Sequence, residues 1–171
     1  MIEFIGIGFI RRKGGILANL TLREDWITTG VEAGTREEVF KVLAQPLYDA
    51  GFVREGFLEG VEEREKNFPT GLPTVPFGVA IPHTNPQYVK DNAISVGVLK
   101  HPVTFTVMGT DDETTEVRLV FLLALNESQK QLNILKNITS VISDENFLKS
   151  FLTMTRKEIY EVLKVNLGGV I

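Results

Sequence analysis

Only two histidines occur in these 171 residues, and one of them, His83, stands where an imidazole can do chemistry. It lies in Pro76-Phe77-Gly78-Val79-Ala80-Ile81-Pro82-His83-Thr84-Asn85-Pro86. The short apolar run ahead of it reads as a strand, and Pro82, with a fixed φ and no N–H to donate, must end that strand. Asn85 followed by Pro86 reads as a cap residue and then proline at the first helical position. His83 is therefore expected between a strand end and a helix N-terminus, where unpaired N–H groups and the helix dipole favour an anion. Histidine beside an anion site suits reversible phosphoryl transfer, because neutral imidazole is a nucleophile near pH 7 and a good leaving group once protonated. The local pattern alone fits a turn histidine equally well.

The neighbouring residues separate the two readings. Glu63-Arg64-Glu65-Lys66-Asn67-Phe68-Pro69-Thr70-Gly71-Leu72-Pro73, a short spacer and then Gly78-Val79-Ala80-Ile81-Pro82-His83 resembles the EIIA component of the bacterial sugar phosphotransferase system. The subgroup is the fructose/mannitol type, and within it the galactitol-like branch. The resemblance runs from about Leu20 to Lys164. It implies that His83 accepts a phosphoryl group from the carrier protein HPr and passes it to a cysteine of EIIB, for uptake through a membrane component, EIIC. It also implies an α/β sandwich, a cytoplasmic location, and no cofactor.

A transferring phosphoryl group spreads charge over its oxygens, so catalysis is mostly positioning and electrostatic stabilisation. The resemblance carries the family's active-site arginine onto Arg64, whose guanidinium can hold two phosphate oxygens at once. Taken by itself, Arg64 also reads as a solvated helix-end residue beside Glu63 and Glu65. Thr84 is a candidate hydroxyl donor to the phosphate, or a turn residue. Mannitol-type relatives place a second histidine at the start of the helix after the central strand, and the matching position here is Gln131. Glutamine can orient a partner by hydrogen bonding but carries no titrating proton, and Gln131 also fits a helix-capping role. The other histidine, His101 in Lys100-His101-Pro102, is expected in a surface loop between two strands.

The elements that must position these residues alternate between strands and helices. Thr35-Arg36-Glu37-Glu38 is a capping box opening a helix with Val39, Val42, Leu43 and Leu47 at helical spacing, which Pro46 should kink or shorten. A second helix carries Phe57, Leu58 and Val61, ends before Pro69 and holds Arg64 in its last turn. Ile94-Val96-Val98 and Val103-Phe105-Val107 alternate as two strands, and the nearly continuous apolar run from Val117 to Leu125 marks a central strand covered on both faces. Ser128-Gln129-Lys130-Gln131 and Thr155-Arg156-Lys157-Glu158 read as two more capping boxes. The economical arrangement is α/β, a mixed β-sheet flanked by helices on both faces.

Composition limits the alternatives. Hydrophobic residues make up 43% and charged residues 23%, which excludes a disordered chain. A net charge of −4 gives no reason to expect nucleic-acid binding. With no cysteine, thiolate metal sites and disulfides are excluded, any cysteine in a relay belongs to a partner, and two histidines without an acidic cluster make a poor metal signature. Met1 to Ile10 is apolar but too short to span a bilayer and is followed, not preceded, by Arg11-Arg12-Lys13. Residues 1–19 are read as an extra strand or a poorly ordered extension, and residues 20–171 as a single phosphoryl-carrier domain. Two other classes stay open: a regulatory, nitrogen-type EIIA acting by protein binding, and a non-catalytic α/β binding module. Phe68-Pro69-Thr70-Gly71 and Gln131 favour the sugar-uptake branch by resemblance. A transient docking surface is expected near His83, built from some of Phe68, Phe77 and Val79.

Overall fold

The alternating apolar runs pair into one five-stranded sheet. In the computed structural model, which describes residues 20–167, the strands are β1 (Ile27–Val31), β2 (Gly71–Leu72), β3 (Gly78–Ala80), β4 (Ala93–Thr106) and β5 (Thr114–Ala124), in the order β1-β4-β5-β3-β2. The extension read at residues 1–19 lies outside the described residues. β1 runs parallel to β4 and β3 parallel to β5, while β4 with β5 and β2 with β3 are antiparallel. The sheet is mixed, as expected, and the apolar run from Val117 is its middle strand.

That strand is apolar on both faces because both are covered. Leu119, Phe121 and Leu123 join one core with α3 (Ser128–Ile142), α4 (Glu145–Ser150) and α5 (Arg156–Leu167). Val120, Leu122 and Ala124 join the other with α1 (Arg36–Asp49) and α2 (Phe57–Asn67). Each fully buried Leu, Ile or Phe side chain contributes about 1.5–3 kcal/mol relative to exposure.

Local signals set most of the helix ends. The Thr35 hydroxyl accepts from the Glu38 N–H at 3.2 Å while the Glu38 carboxylate accepts from the Thr35 N–H, also at 3.2 Å. Thr155 and Glu158 form the same pair at α5. Pro46 does not shorten α1, which continues to Asp49. Its last carbonyls are satisfied by Gly51 N–H to Tyr48 O and Phe52 N–H to Leu47 O, both 3.0 Å, with Gly51 at φ +74°.

Three expectations need correction. The Asn85-Pro86 signal opens only a three-residue 3-10 turn, Pro86–Tyr88, because the Asn85 side chain is engaged elsewhere. The cap of α3 falls on Glu127, with Ser128 the first helical residue. Just before it the Asn126 N–H donates to Asn92 Oδ1 at 2.9 Å, which fixes the exit from the sheet. The two strands expected on either side of Lys100-His101-Pro102 are one, β4, with a register break between Val98 and Val103. The Arg118 guanidinium donates to Leu99 O and Lys100 O at 2.9–3.1 Å, serving the carbonyls that the break removes from the ladder. His101 is exposed, but within this strand rather than in a loop.

Candidate active site

Beyond β3 the chain stays against β5 for three more residues. The Leu123 N–H donates to Pro82 O at 3.0 Å, and His83 forms an isolated parallel bridge with Leu123. His83 is thereby held past the end of β3, beside the last residues of the middle strand. Its Nδ1 lies 2.9 Å from Ile81 O. A carbonyl only accepts, so Nδ1 carries the proton and the lone pair is on Nε2. The ring is half-buried, and its pKa is lowered from 6.5. Burial is the largest cause; the Ile81 carbonyl opposes it and the Arg64 charge adds to it. A pKa below 6.5 leaves the ring mostly neutral at pH 7.

Arg64 arrives from α2. Gly56, at φ +87°, turns the chain into this helix, and the Leu58 N–H donates to Tyr48 Oη at 2.9 Å, tying its first turn to α1. In the last turn, Arg64 Nη1 donates to Asn85 Oδ1 at 3.3 Å and the guanidinium lies 5.3 Å from the Phe68 ring centroid. Its Nε–H is buried and has no hydrogen-bond partner among the described residues. A buried donor with no acceptor is costly. With only a three-residue 3-10 turn after Asn85, the helix N-terminus expected there is not formed. The positive charge comes from Arg64 instead.

Thr84 is 3% exposed, and its hydroxyl faces Gly60 of α2: a Cβ built on Gly60 would stand 2.6 Å from Thr84 Oγ1 and 3.0 Å from the Tyr88 ring. Gly60 and Arg64 are four residues apart and share a helix face, so the glycine lets α2 approach the His83 loop closely enough for Arg64 to reach Asn85. Gln131 is in the first turn of α3, and its side chain lies outside the described ones. Of the apolar residues expected around His83, Phe77 and Val79 are core, whereas Phe68 is 65% exposed. Val75 and Met108 are also exposed, and the Met108 N–H donates to Gly71 O.

Sequence reasoning missed Glu65. It is 1% exposed, and both carboxylate oxygens are used: Oε1 accepts from the Thr70 N–H at 2.9 Å and Oε2 from the Thr70 hydroxyl at 2.8 Å. Thr70 Oγ1 in turn accepts from the Ile81 N–H at 3.2 Å. Burial pushes the Glu65 carboxyl up; the two Thr70 bonds and the Arg36 charge oppose it, and Glu37 adds to it. The signal was present, since Phe57, Val61 and Glu65 recur at four-residue spacing and form the buried stripe of α2.

Among the described residues no three His, Cys, Asp or Glu side chains are grouped to hold a metal ion. Two shallow hollows, of about 580 and 530 Å³, are lined around Arg23 and include none of His83, Arg64 or Thr84. No helix among the described residues is long and apolar enough to cross a membrane.

Residues 20–166 match the model of the family described as phosphoenolpyruvate-dependent sugar phosphotransferase system, EIIA 2. Among curated proteins, the galactitol-specific EIIA component of Escherichia coli K12 is 24% identical over 136 residues, covering 80% of this chain and 90% of that one. Among solved structures, the complex of enzyme IIA-Mtl with phosphorylated enzyme IIB-Mtl from Escherichia coli matches at a TM-score of 0.67 and 24% identity, covering 85% of this chain and 96% of that one. Nitrogen regulatory protein IIA-Ntr from Neisseria meningitidis matches at 0.63 and 23%, with the same coverage.

Proposed function

Because the family model covers most of the chain, the protein belongs to the EIIA 2 family of the sugar phosphotransferase system, a phosphotransferase family that carries phosphate on histidine, and we propose that His83 is the carrier residue here. The observation that carries this is the pairing of His83 Nδ1–H with Ile81 O, which leaves Nε2 as the nucleophile on a ring that feels the Arg64 charge, while the Arg64 Nε–H has no partner among the described residues. Nε2 attacks the phosphorus of phospho-HPr, the new N–P bond forms and the bond to HPr breaks. The imidazole then carries the phosphoryl group until a cysteine thiolate of EIIB attacks the same phosphorus and Nε2 leaves. Arg64 holds phosphoryl oxygens throughout, and donors fixed in place before the reaction are most effective where charge is being redistributed. Thr84, next to His83 with its hydroxyl buried against Gly60 of α2, is a candidate donor to the phosphate, and Gln131 is an orienter from α3.

Residues 20–171 act as one carrier domain in this reading, supported by a single sheet with a core on each face. HPr and EIIB dock in turn on the face around His83, where Phe68, exposed beside the Arg64 guanidinium, offers apolar area of the modest kind a transient complex uses. EIIC is an indirect partner, and the protein works in the cytoplasm. The galactitol-specific relative favours uptake of a sugar or sugar alcohol of that type.

The test is incubation with labelled phospho-HPr. Wild type takes up label and His83→Ala does not; label retained by His83→Ala overturns the assignment. Onward transfer to the cysteine of a galactitol-type EIIB separates uptake from a regulatory output, because a protein that only switches binding partners keeps its label.

A further inference from the structure

We propose that Glu65 is a positioning residue for phosphoryl acceptance, holding through Thr70 the backbone whose carbonyl fixes the His83 ring with Nε2 outward. The chain of contacts is continuous: Glu65 accepts twice from Thr70, the Thr70 hydroxyl accepts from the Ile81 N–H, and the Ile81 carbonyl accepts from His83 Nδ1–H. Each partner has one role. The Thr70 hydroxyl has a single proton, and Glu65 takes it, so its oxygen must present a lone pair to Ile81. An ionised carboxylate can only accept, and this sets the polarity of the whole chain. Glu65 also directly follows Arg64 on α2. One buried side chain therefore ties the turn that bears the guanidinium to the strand end that bears the imidazole.

Among the described residues no cation lies at bonding distance of this carboxylate, and a buried carboxylate without one is an expensive way to hold a loop. A purely structural clamp would be served as well by an apolar contact, as Phe57 and Val61 serve on the same stripe. What Glu65 adds is direction: it places a lone pair at the Ile81 N–H and so orients residue 81, whose carbonyl selects the Nδ1–H form of His83.

The proposal rests on His83 being the acceptor, but its test does not need a phosphoryl donor. Nitrogen-15 NMR of the His83 ring reads the tautomer in the unphosphorylated protein. Wild type should show Nδ1 protonated and Nε2 bare. In Thr70→Val, which keeps the shape and removes the hydroxyl, the two nitrogens should move toward averaged values, and Thr70→Ser should restore them. Glu65→Gln keeps the size but adds donors and reverses the polarity of the chain. It should shift the ring in the same direction, and it provides the readout if Thr70→Val does not fold. The maximal rate of phosphorylation by phospho-HPr should fall about 10- to 100-fold in Thr70→Val and Glu65→Gln, the scale of a small misplacement of a reacting atom, with KM for phospho-HPr unchanged because the docking surface is intact. Wild-type His83 shifts and rates in folded Thr70→Val or Glu65→Gln overturn the proposal. Failure of wild type to take up label overturns the acceptor reading and leaves the tautomer result standing.

Discussion

The His83 imidazole is committed at one nitrogen: Nδ1 donates at 2.9 Å to the Ile81 carbonyl, two residues back across Pro82. Proline at 82 stiffens that short connection, so the ring and its acceptor move as one unit. The phosphoryl group should therefore be found on Nε2. Phosphorus–nitrogen couplings in the labelled phosphoprotein assign the site, and phosphate on Nδ1 would mean that the Ile81 bond is broken during transfer. His101→Ala should leave labelling unchanged, since His101 is exposed on β4.

Arg64→Lys keeps the charge and loses the planar fork. Losing one well-placed donor to a developing oxyanion costs on the order of 10²–10³ in rate, and this is the fall expected in transfer to EIIB. A rate within about twofold of wild type would return Arg64 to the role of a solvated surface residue. Phe68→Ala removes only the ring under the guanidinium, a contact of about 0.5–1 kcal/mol at an exposed site, so the rate should fall no more than about fivefold through this contact.

The fold was legible where its signals are local. The capping boxes at Thr35 and Thr155 state both bonding partners within four residues, and the apolar run of β5 needs both faces covered wherever it sits. The misreadings came from partners distant in sequence. Asn85 looks like a cap until Arg64, 21 residues earlier, takes its side-chain oxygen. Lys100-His101-Pro102 looks like a loop until Arg118 serves the carbonyls beside it. Glu65 vanished into the charge run Glu62-Glu63-Arg64-Glu65-Lys66, because burial there depends on Thr70 folding back over it. His83 and Arg64 could be paired only through the family resemblance, as nothing in their spacing says that α2 packs on the loop after β3.

The His83 pKa, lowered from 6.5 chiefly by burial, makes two pH predictions. Acceptor activity should persist below pH 6.5, into the range where an ordinary histidine is already protonated. Stability should move the other way. As pH falls, the unfolded chain binds a proton at His83 near 6.5 while the folded chain resists until its own lower pKa. The stability that His83 contributes is thus present above 6.5 and is lost as pH drops through the folded value. Glu65 has the opposite sign, since a raised carboxylate pKa favours the fold in acid and that gain is lost as pH rises through its folded value. Comparing urea midpoints of wild type and His83→Gln across pH 4–7 isolates the histidine. A difference that does not shrink as pH falls below 6.5 would contradict a lowered pKa.

Gly60 offers the last test, because two general rules disagree there. Replacing a mid-helix glycine by alanine ordinarily stabilises by about 1 kcal/mol. Here the new Cβ would stand 2.6 Å from Thr84 Oγ1 and 3.0 Å from the Tyr88 ring, and overpacking of that kind costs about 1–3 kcal/mol. Thr84 is buried and β-branched, so its hydroxyl has little room to turn aside. The clash should win or draw, with an unchanged or lowered urea midpoint. Retreat of α2 would also draw Arg64 from Asn85 and weaken its effect on the imidazole. The His83 pKa in Gly60→Ala should therefore rise toward its ordinary value, because the Arg64 charge is one of the causes lowering it, and phosphoryl acceptance should slow. NMR titration of His83 beside a urea curve measures both. A stabilised Gly60→Ala with an unmoved His83 titration would show that the glycine does not set the distance between α2 and the acceptor loop.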